Sequence, residues 1–252
     1  MLLAVDVGNT NTVLGLFTGD ELVRSWRITT HARATGDEMA LTFRGLLDEQ
    51  PEITGLVLCS TVPSVLHELR PMLSSFFHGI PVVIVEPGTK TGVPILTDNP
   101  KEVGADRIVN TLAAHQQFGG PCIVVDFGTS TNLDVVSAQG EFLGGALAPG
   151  IDISLEALST KAAQLRKVEV VRPRSPIGKN TVEALQSGAV FGFAGQVDGL
   201  VERIIEEIGP VTAVVATGGL ASVVIDESET ITHHDPHLTL TGLRLVFERN
   251  VD

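Results

Sequence analysis

Two stretches of this 252-residue chain echo one another: residues 3–10 read LAVDVGNT and residues 123–130 read IVVDFGTS. In both, an apolar run ends in Asp-x-Gly, an Asn or Thr follows, and a second apolar run resumes. The two aspartates, Asp6 and Asp126, stand 120 positions apart, close to half the chain. An apolar run broken by glycine and small polar residues is a strand, a tight turn and a strand. Its recurrence at half-chain spacing implies an internal duplication, two similar domains that open with the same hairpin. The turn carries chemistry as well. Its backbone N–H groups, with Asn and Thr side chains, can cradle phosphate oxygens. The carboxylate at the strand end can hold a cation, or the cation's waters, that bridges those phosphates. One such hairpin reads as readily as an ordinary turn. Two copies favour a nucleotide gripped from both sides of an interdomain cleft.

The rest of the chain fits an α/β architecture. LLAVDV (2–7), VLGLFTGDEL and LVRSWRI predict a β-meander. Helical spacing follows over 37–50, then a buried strand over 54–61, a helix opened by Pro63, and a strand at PVVIVE (81–86). The pattern then restarts, with a helix from about Pro100 to Phe118. The stretch CIVVDFGTSTNLDVVSAQGEFLGG follows as three strands. Helices are expected near 151–166 and over 181–208, then a buried strand at TAVVATGG and a helical or irregular tail. The domains are expected to be 1–110 and 111–252.

Composition excludes several functions. The formal net charge is −13, with no Lys/Arg run, no tyrosine and one tryptophan. That leaves neither a basic stripe nor stacking aromatics for nucleic acid. No segment approaches the roughly 20 apolar residues of a membrane span. The N-terminal apolar run is short and lacks a basic leader, so a cytoplasmic protein is expected. Cys59 and Cys122 each sit in an apolar run and read as buried, reduced thiols without zinc spacing. GKNT (178–181) looks like the end of a phosphate-binding loop, but Pro173 stands where the first glycine belongs, and no G-x-G-x-x-G follows a strand.

Further stretches run in order along nearly the whole chain: DVGNTNTVLGLF (6–17), DNPKEVGADRIVN (98–110), DFGTSTNLDVV (126–136), GGALAPGI (144–151), IGKNTVEALQSGAVFG (177–192), ATGGLA (216–221) and LTLTGLRLVFERN (238–250). Together they resemble type III pantothenate kinases, within the superfamily of acetate and sugar kinases, Hsp70 and actin. The resemblance implies two duplicated ribonuclease H-like (actin-like ATPase) domains, each a mixed sheet flanked by helices. It implies ATP-dependent phosphorylation of pantothenate to 4′-phosphopantothenate, the first step of coenzyme A biosynthesis, by a homodimer. By the same resemblance Asp6, Val7, Gly8, Asn9, Thr10, Asn11, Thr12 and Val13 form the first ATP-phosphate loop, with Asp6 near Mg²⁺, and Thr129 contacts ATP. Gly104, Ala105, Asp106 and Arg107 bind pantothenate, Asp106 as catalytic base, and Thr181 is a further pantothenate contact. Asp126 ligates a monovalent cation, K⁺ or NH₄⁺. The chain departs from the family's DFGTATTFDVV at Ser130 and Asn132, and carries Thr97 in the region where many members have tyrosine.

The residue chemistry agrees with those roles. A carboxylate such as Asp106 can accept an alcohol's proton, and the planar fork of Arg107 suits a carboxylate or phosphate, although the adjacent pair also reads as a structural ion pair. Asp134 reads as support for the cation site or as a strand-edge carboxylate. Gly188, Gly192, Gly195 and Gly199 share one face of the long helix, for close packing within the subunit or across a dimer. HHDPH (233–237) looks like a metal cluster but sits in a polar segment and reads as an exposed loop. Two alternatives stay open: another small-molecule kinase or phosphatase of the same fold, and a non-catalytic accessory factor. GADR with GKNT argues against the first. The retention of Asp6, Asp106 and Asp126 argues against the second.

Overall fold

A computed structural model of the chain describes residues 1–48, 50–162 and 168–251. In chain order the elements are β1 (Leu2–Val7), β2 (Asn11–Thr18), β3 (Glu21–Thr29), α1 (Gly36–Leu47), β4 (Gly55–Ser60), α2 (Pro63–Phe76), β5 (Val82–Ile84) and α3 (Ala105–Phe118). They continue with β6 (Cys122–Phe127), β7 (Ser130–Val136), β8 (Phe142–Pro149), α4 (Ile151–Lys161), α5 (Thr181–Ile208), β9 (Ala213–Thr217), α6 (Ala221–Val224), β10 (His233–His234) and α7 (Leu238–Asn250). The helix expected from Pro100 is split into a 3₁₀ turn at Pro100–Glu102 and α3, with Gly104 between them. Of the helix expected near 151–166, positions 163–166 lie outside the described residues.

The strands form two five-stranded sheets of one topology, β3-β2-β1-β4-β5 and β8-β7-β6-β9-β10. In each, a three-stranded antiparallel meander adjoins two strands that run parallel to its first strand. The duplication signalled by the hairpins is therefore written into both sheets. The central strands are covered on both faces, which is why they read as near-continuous apolar runs rather than alternating ones.

The chain divides into two compact units, residues 1–92, 99–113 and 239–252, and residues 93–98 and 114–238. In the first, Leu3, Val5 and Val7 of β1 and Leu56 and Leu58 of β4 pack with Phe43 of α1 and Val65, Leu69 and Leu73 of α2. The opposite face of that sheet takes α7. A Cβ at Gly15 would fall 2.7 Å from Leu240 Cδ1, and the Phe247 ring occupies the space a Cβ on Gly55 would need. Gly242 lets α7 lie against the Val109 carbonyl of α3. In the second unit, Ile123, Val125, Leu133 and Ala216 pack with Ile151 and Leu155 of α4 and with Ala189, Val197 and Val201 of α5.

These units differ from the expected halves 1–110 and 111–252. One break falls close by, between residues 113 and 114, but residues 93–98 join the second unit and the last helix returns to the first. The reason is physical: the glycines of β2 and β4 leave a trough that Leu240 and Phe247 fill. Leu240 is 1% exposed. Its replacement by alanine is expected to destabilise the protein by about 2–5 kcal/mol, the range for deleting a buried leucine side chain. Equilibrium denaturation in urea would measure this.

Candidate functional site

Asp6 lies next to the end of β1. Strand register sets it beside Cys59 of β4 on one side and Val13 of β2 on the other, with Arg27 of β3 beyond Val13. The turn that follows is tightly tied. Gly8 N–H donates to the Asn11 carbonyl (3.0 Å), Thr30 N–H to the Thr10 carbonyl (2.9 Å) and Thr61 N–H to the Val7 carbonyl (3.0 Å). Asn9 and Thr10 are exposed at its tip. The eight residues expected to hold phosphate thus divide. Val7 and Thr12 are buried in the sheet, the Thr12 hydroxyl 2.9 Å from that of Thr30, while Gly8, Asn9 and Thr10 form the accessible tip.

Gly104, Ala105, Asp106 and Arg107 open α3. The first turn of a helix has N–H groups with no intrahelical partner and the positive end of the helix dipole. The Asp106 carboxylate uses them, accepting hydrogen bonds from the N–H groups of Arg107 and of Asp106 itself. Its Oδ1 lies against Gly104, in the space a Cβ there would take.

The charge of Asp106 reaches Asp6. Burial pushes the Asp6 carboxyl up to about 7, and the Asp106 carboxylate adds to the rise. The Cys59 thiol, donating to Asp6 Oδ1 at 3.3 Å, and Arg27 pull the other way. Burial also raises Asp106, against the opposing Arg107 N–H, the Arg107 charge and its own N–H. Two carboxylates that resist being ionised together form a seat for a cation or for a proton acceptor. Cys59 itself is wholly buried, as the sequence suggested, and burial beside both aspartates holds its thiol well above the usual range. Its bond to Asp6 had no local signal, because the partners are 53 positions apart.

The second hairpin repeats the first with a shorter turn. Asp126 is set between Thr217 of β9 and Asn132 of β7. Gly128 N–H donates to the Ser130 carbonyl (3.0 Å), and Gly150 N–H, at the start of α4, donates to the Thr129 carbonyl (3.1 Å). Thr129 is exposed at the tip. A Cβ at Gly218, whose φ is +90°, would collide with Asp126 Oδ1 and the Phe127 carbonyl, and one at Gly150 would collide with the Gly128 and Thr129 carbonyls. The glycines of ATGG and APG therefore form a cradle that side chains would fill. Asp134 is fully buried on an interior strand, which removes its reading as a strand-edge carboxylate.

Thr181 is the exposed first residue of α5. The surrounding GKNT is a helix start: Asn180 Oδ1 accepts the Glu183 N–H (2.9 Å), and Glu183 accepts the Lys179 N–H (2.9 Å) and pairs with Arg174 (2.9 Å). On α5, Cβ atoms at Gly188, Gly192 and Gly195 would meet nothing within 4 Å, so close packing of this face inside the subunit is not what these glycines serve. His233 and His234 are exposed on β10, and Asp235 accepts the His237 N–H (2.9 Å) and the Gln117 amide (3.0 Å). No three His, Cys, Asp or Glu side chains among the described residues are grouped to hold a metal ion, and the first two histidines of HHDPH form a short strand paired with β9 rather than lying in a loop.

A family model for type III pantothenate kinase matches residues 2–203. Over 251 residues the chain is 68% identical to the type III pantothenate kinase of Frankia alni, covering 100% of both chains. It is 64% identical over 252 residues to that of Salinispora arenicola, again with 100% of both covered. Among solved structures, the activator of 2-hydroxyisocaproyl-CoA dehydratase from Clostridium difficile, determined with bound ADPNP, superposes with a TM-score of 0.53 at 13% identity, over 99% of this chain and 95% of that one. This last likeness is one of fold, the duplicated ribonuclease H-like architecture of actin-like ATPases.

The Asp6 carboxyl makes ligand-free stability depend on pH. Its folded pKa is raised, so the native state holds a proton that the unfolded chain releases near 3.8. Its contribution is complete below that value and is lost as pH rises through about 7. The melting temperature of ligand-free protein should therefore fall more steeply between about pH 4 and pH 7 in the wild type than in Asp6→Asn. Parallel slopes in the two proteins would contradict the environment described for Asp6.

Proposed function

From the premise that the chain belongs to the type III pantothenate kinase family, and so transfers a phosphoryl group from ATP to pantothenate at the start of coenzyme A biosynthesis, we propose how its residues divide the work. Asp106 is the catalytic base, and the observation that carries this is its pairing with Asp6 at the N-terminus of α3. The acceptor is a primary alcohol, which must lose its proton as the new O–P bond forms and the bond to the leaving ADP breaks. A base serves best when its pKa lies nearer the working pH than a free carboxylate does. Burial moves Asp106 in that direction, while the N–H groups of α3 keep the ionised form accessible. Arg107 is a binding residue for pantothenate through its planar guanidinium fork, and Thr181 is a further pantothenate contact.

The Asp6–Val13 stretch holds the ATP phosphates through the tip at Gly8, Asn9 and Thr10, and the exposed Thr129 is an ATP contact. Mg²⁺, when bound with ATP, neutralises phosphate charge. Asp6 is the carboxylate suited to it: burial first, and the Asp106 charge second, disfavour its bare anion, and a bound divalent cation would offset both. Asp126 is the ligand of a monovalent cation: its carboxylate supplies an anionic oxygen at the end of β6, where the glycine at 218 lets the backbone approach Oδ1 closely.

We also propose a homodimer formed through the Gly188, Gly192 and Gly195 face of α5. Exposed glycine on a helix lowers its stability by about 1 kcal/mol per residue against alanine, and close approach of a second helix is a physical return for three of them. The reaction's substrates, with two unpaired buried cysteines and no helix among the described residues long and apolar enough to cross a membrane, favour the cytoplasm.

Replacing Asp106 by Asn should lower kcat by about 10²- to 10⁴-fold while leaving KM for pantothenate within a few-fold. Release of ADP from MgATP, with and without pantothenate, reads this out. Turnover that ignores pantothenate, or a fully active variant, would contradict the assignment. Gly192→Arg should convert a dimer into a monomer in sedimentation equilibrium. An unchanged mass would remove this face from the interface.

A further inference from the structure

Corresponding rows of the two sheets have diverged. In the first, Asp6 lies between Cys59 and Val13, and the row ends at Arg27. In the second, Asp126 lies between Thr217 and Asn132, and the row ends at Leu147. Residues directly opposite on neighbouring strands point to the same face of a sheet. Leu133 and Val125, on the other face, pack with α4 and α5. Thr217, Asp126 and Asn132 therefore stand side by side on the face turned away from those helices, as hydroxyl, carboxylate and carboxamide.

Asn132 is 7% exposed, and its Oδ1 accepts no hydrogen bond from the described residues. A buried acceptor left without a donor is destabilising, so its persistence in a packed sheet calls for a partner. Beside it, glycine at 218 and at 128 keeps side-chain bulk away from Asp126 Oδ1: a Cβ at Gly128 would already approach it to 3.5 Å, and one at Gly218 would collide. The unpaired buried oxygen of Asn132 thus lies on the strand next to the Asp126 carboxylate, in the same row and on the same face.

We propose that Asn132 and Thr217 are the neutral oxygen ligands of the monovalent cation whose carboxylate ligand is Asp126. This inference rests on the cation reading above, which assigns Asp126 alone. Charge and ligand type both argue for it. A K⁺ ion exchanges its hydration shell for neutral oxygens, and one carboxylate with an amide and a hydroxyl oxygen balances a single positive charge. A divalent ion calls for more carboxylate or keeps its own waters. Asp134 is buried one row further on the same face, outside the ligand row. The first hairpin offers no such seat, because Cys59 presents a thiol proton and Val13 presents methyl groups. The duplicated scaffold has thereby separated its two aspartates, one toward Mg²⁺ and phosphate and one toward the monovalent ion.

The test is a KCl titration of the ligand-free protein at constant ionic strength, balanced with choline chloride, following the melting temperature. Wild type should show a saturable rise with K⁺. Asn132→Leu and Thr217→Val, close in volume but lacking the oxygen, should shift the half-saturating K⁺ concentration upward by about tenfold or more, and Asn132→Thr should restore it to within about threefold. Asp126→Asn should abolish the rise. If Thr217→Val and whichever Asn132 variants fold keep the wild-type midpoint while Asp126→Asn loses the rise, the inference is overturned and the cation reading stands. If Asp126→Asn also keeps the wild-type midpoint, or if wild type shows no rise, the cation reading falls and takes the inference with it.

Discussion

Parallel pairing of β1 with β4, and of β6 with β9, fixes what each central aspartate can touch. Because the strands run in register, Asp6 must neighbour Cys59 and Asp126 must neighbour Thr217. The antiparallel partner completes each row with Val13 or Asn132. Neither carboxylate is free to choose its surroundings. Backbone hydrogen bonding of a five-stranded sheet holds them, and the helices packed on the far face in turn hold the sheet. The turns after each aspartate inherit this rigidity, which is why a loop of two or three residues can keep its polar tip in one place.

Electrostatics then separates the roles. Asp106 is brought within electrostatic reach of Asp6 by α3, whose first turn offers N–H groups that favour a negative charge where burial opposes it. Two carboxylates in one poorly solvated place cannot both be comfortable as anions. That tension is relieved by a cation, by a proton taken from an alcohol, or by both in sequence, which is what phosphoryl transfer to pantothenate needs. A thiol donor at Cys59 is a mild hand on Asp6. It restrains one oxygen without cancelling the charge, whereas a lysine there would have neutralised the site.

The duplication explains both the similarity and the difference of the two halves. Topology was copied whole, as the matching strand orders record. Side chains in the central row were not, and the row is where function is decided. A sheet tolerates such changes at its C-terminal strand ends because the core rests on Leu3, Val5, Leu56 and their counterparts Ile123, Val125 and Val214, not on the row itself.

The sequence by itself determined the duplicated hairpins, the strand and helix order, the placement of Asp6, Asp106 and Asp126 at element ends, and the family. These depend on local patterns, such as an apolar run, Asp-x-Gly or Pro at a helix start, that act over a few residues. Tertiary structure alone decided that α7 returns to the first unit, since the match of Phe247 to Gly55 spans the chain. It alone placed the Cys59 thiol on Asp6, buried Asp134 on an interior strand, left the α5 glycines open, and revealed the unpaired oxygen of Asn132 beside Asp126. Each of these depends on strand register or helix docking between residues far apart in the chain, and no local pattern encodes which distant side chain will fill a gap or leave a polar atom without a partner.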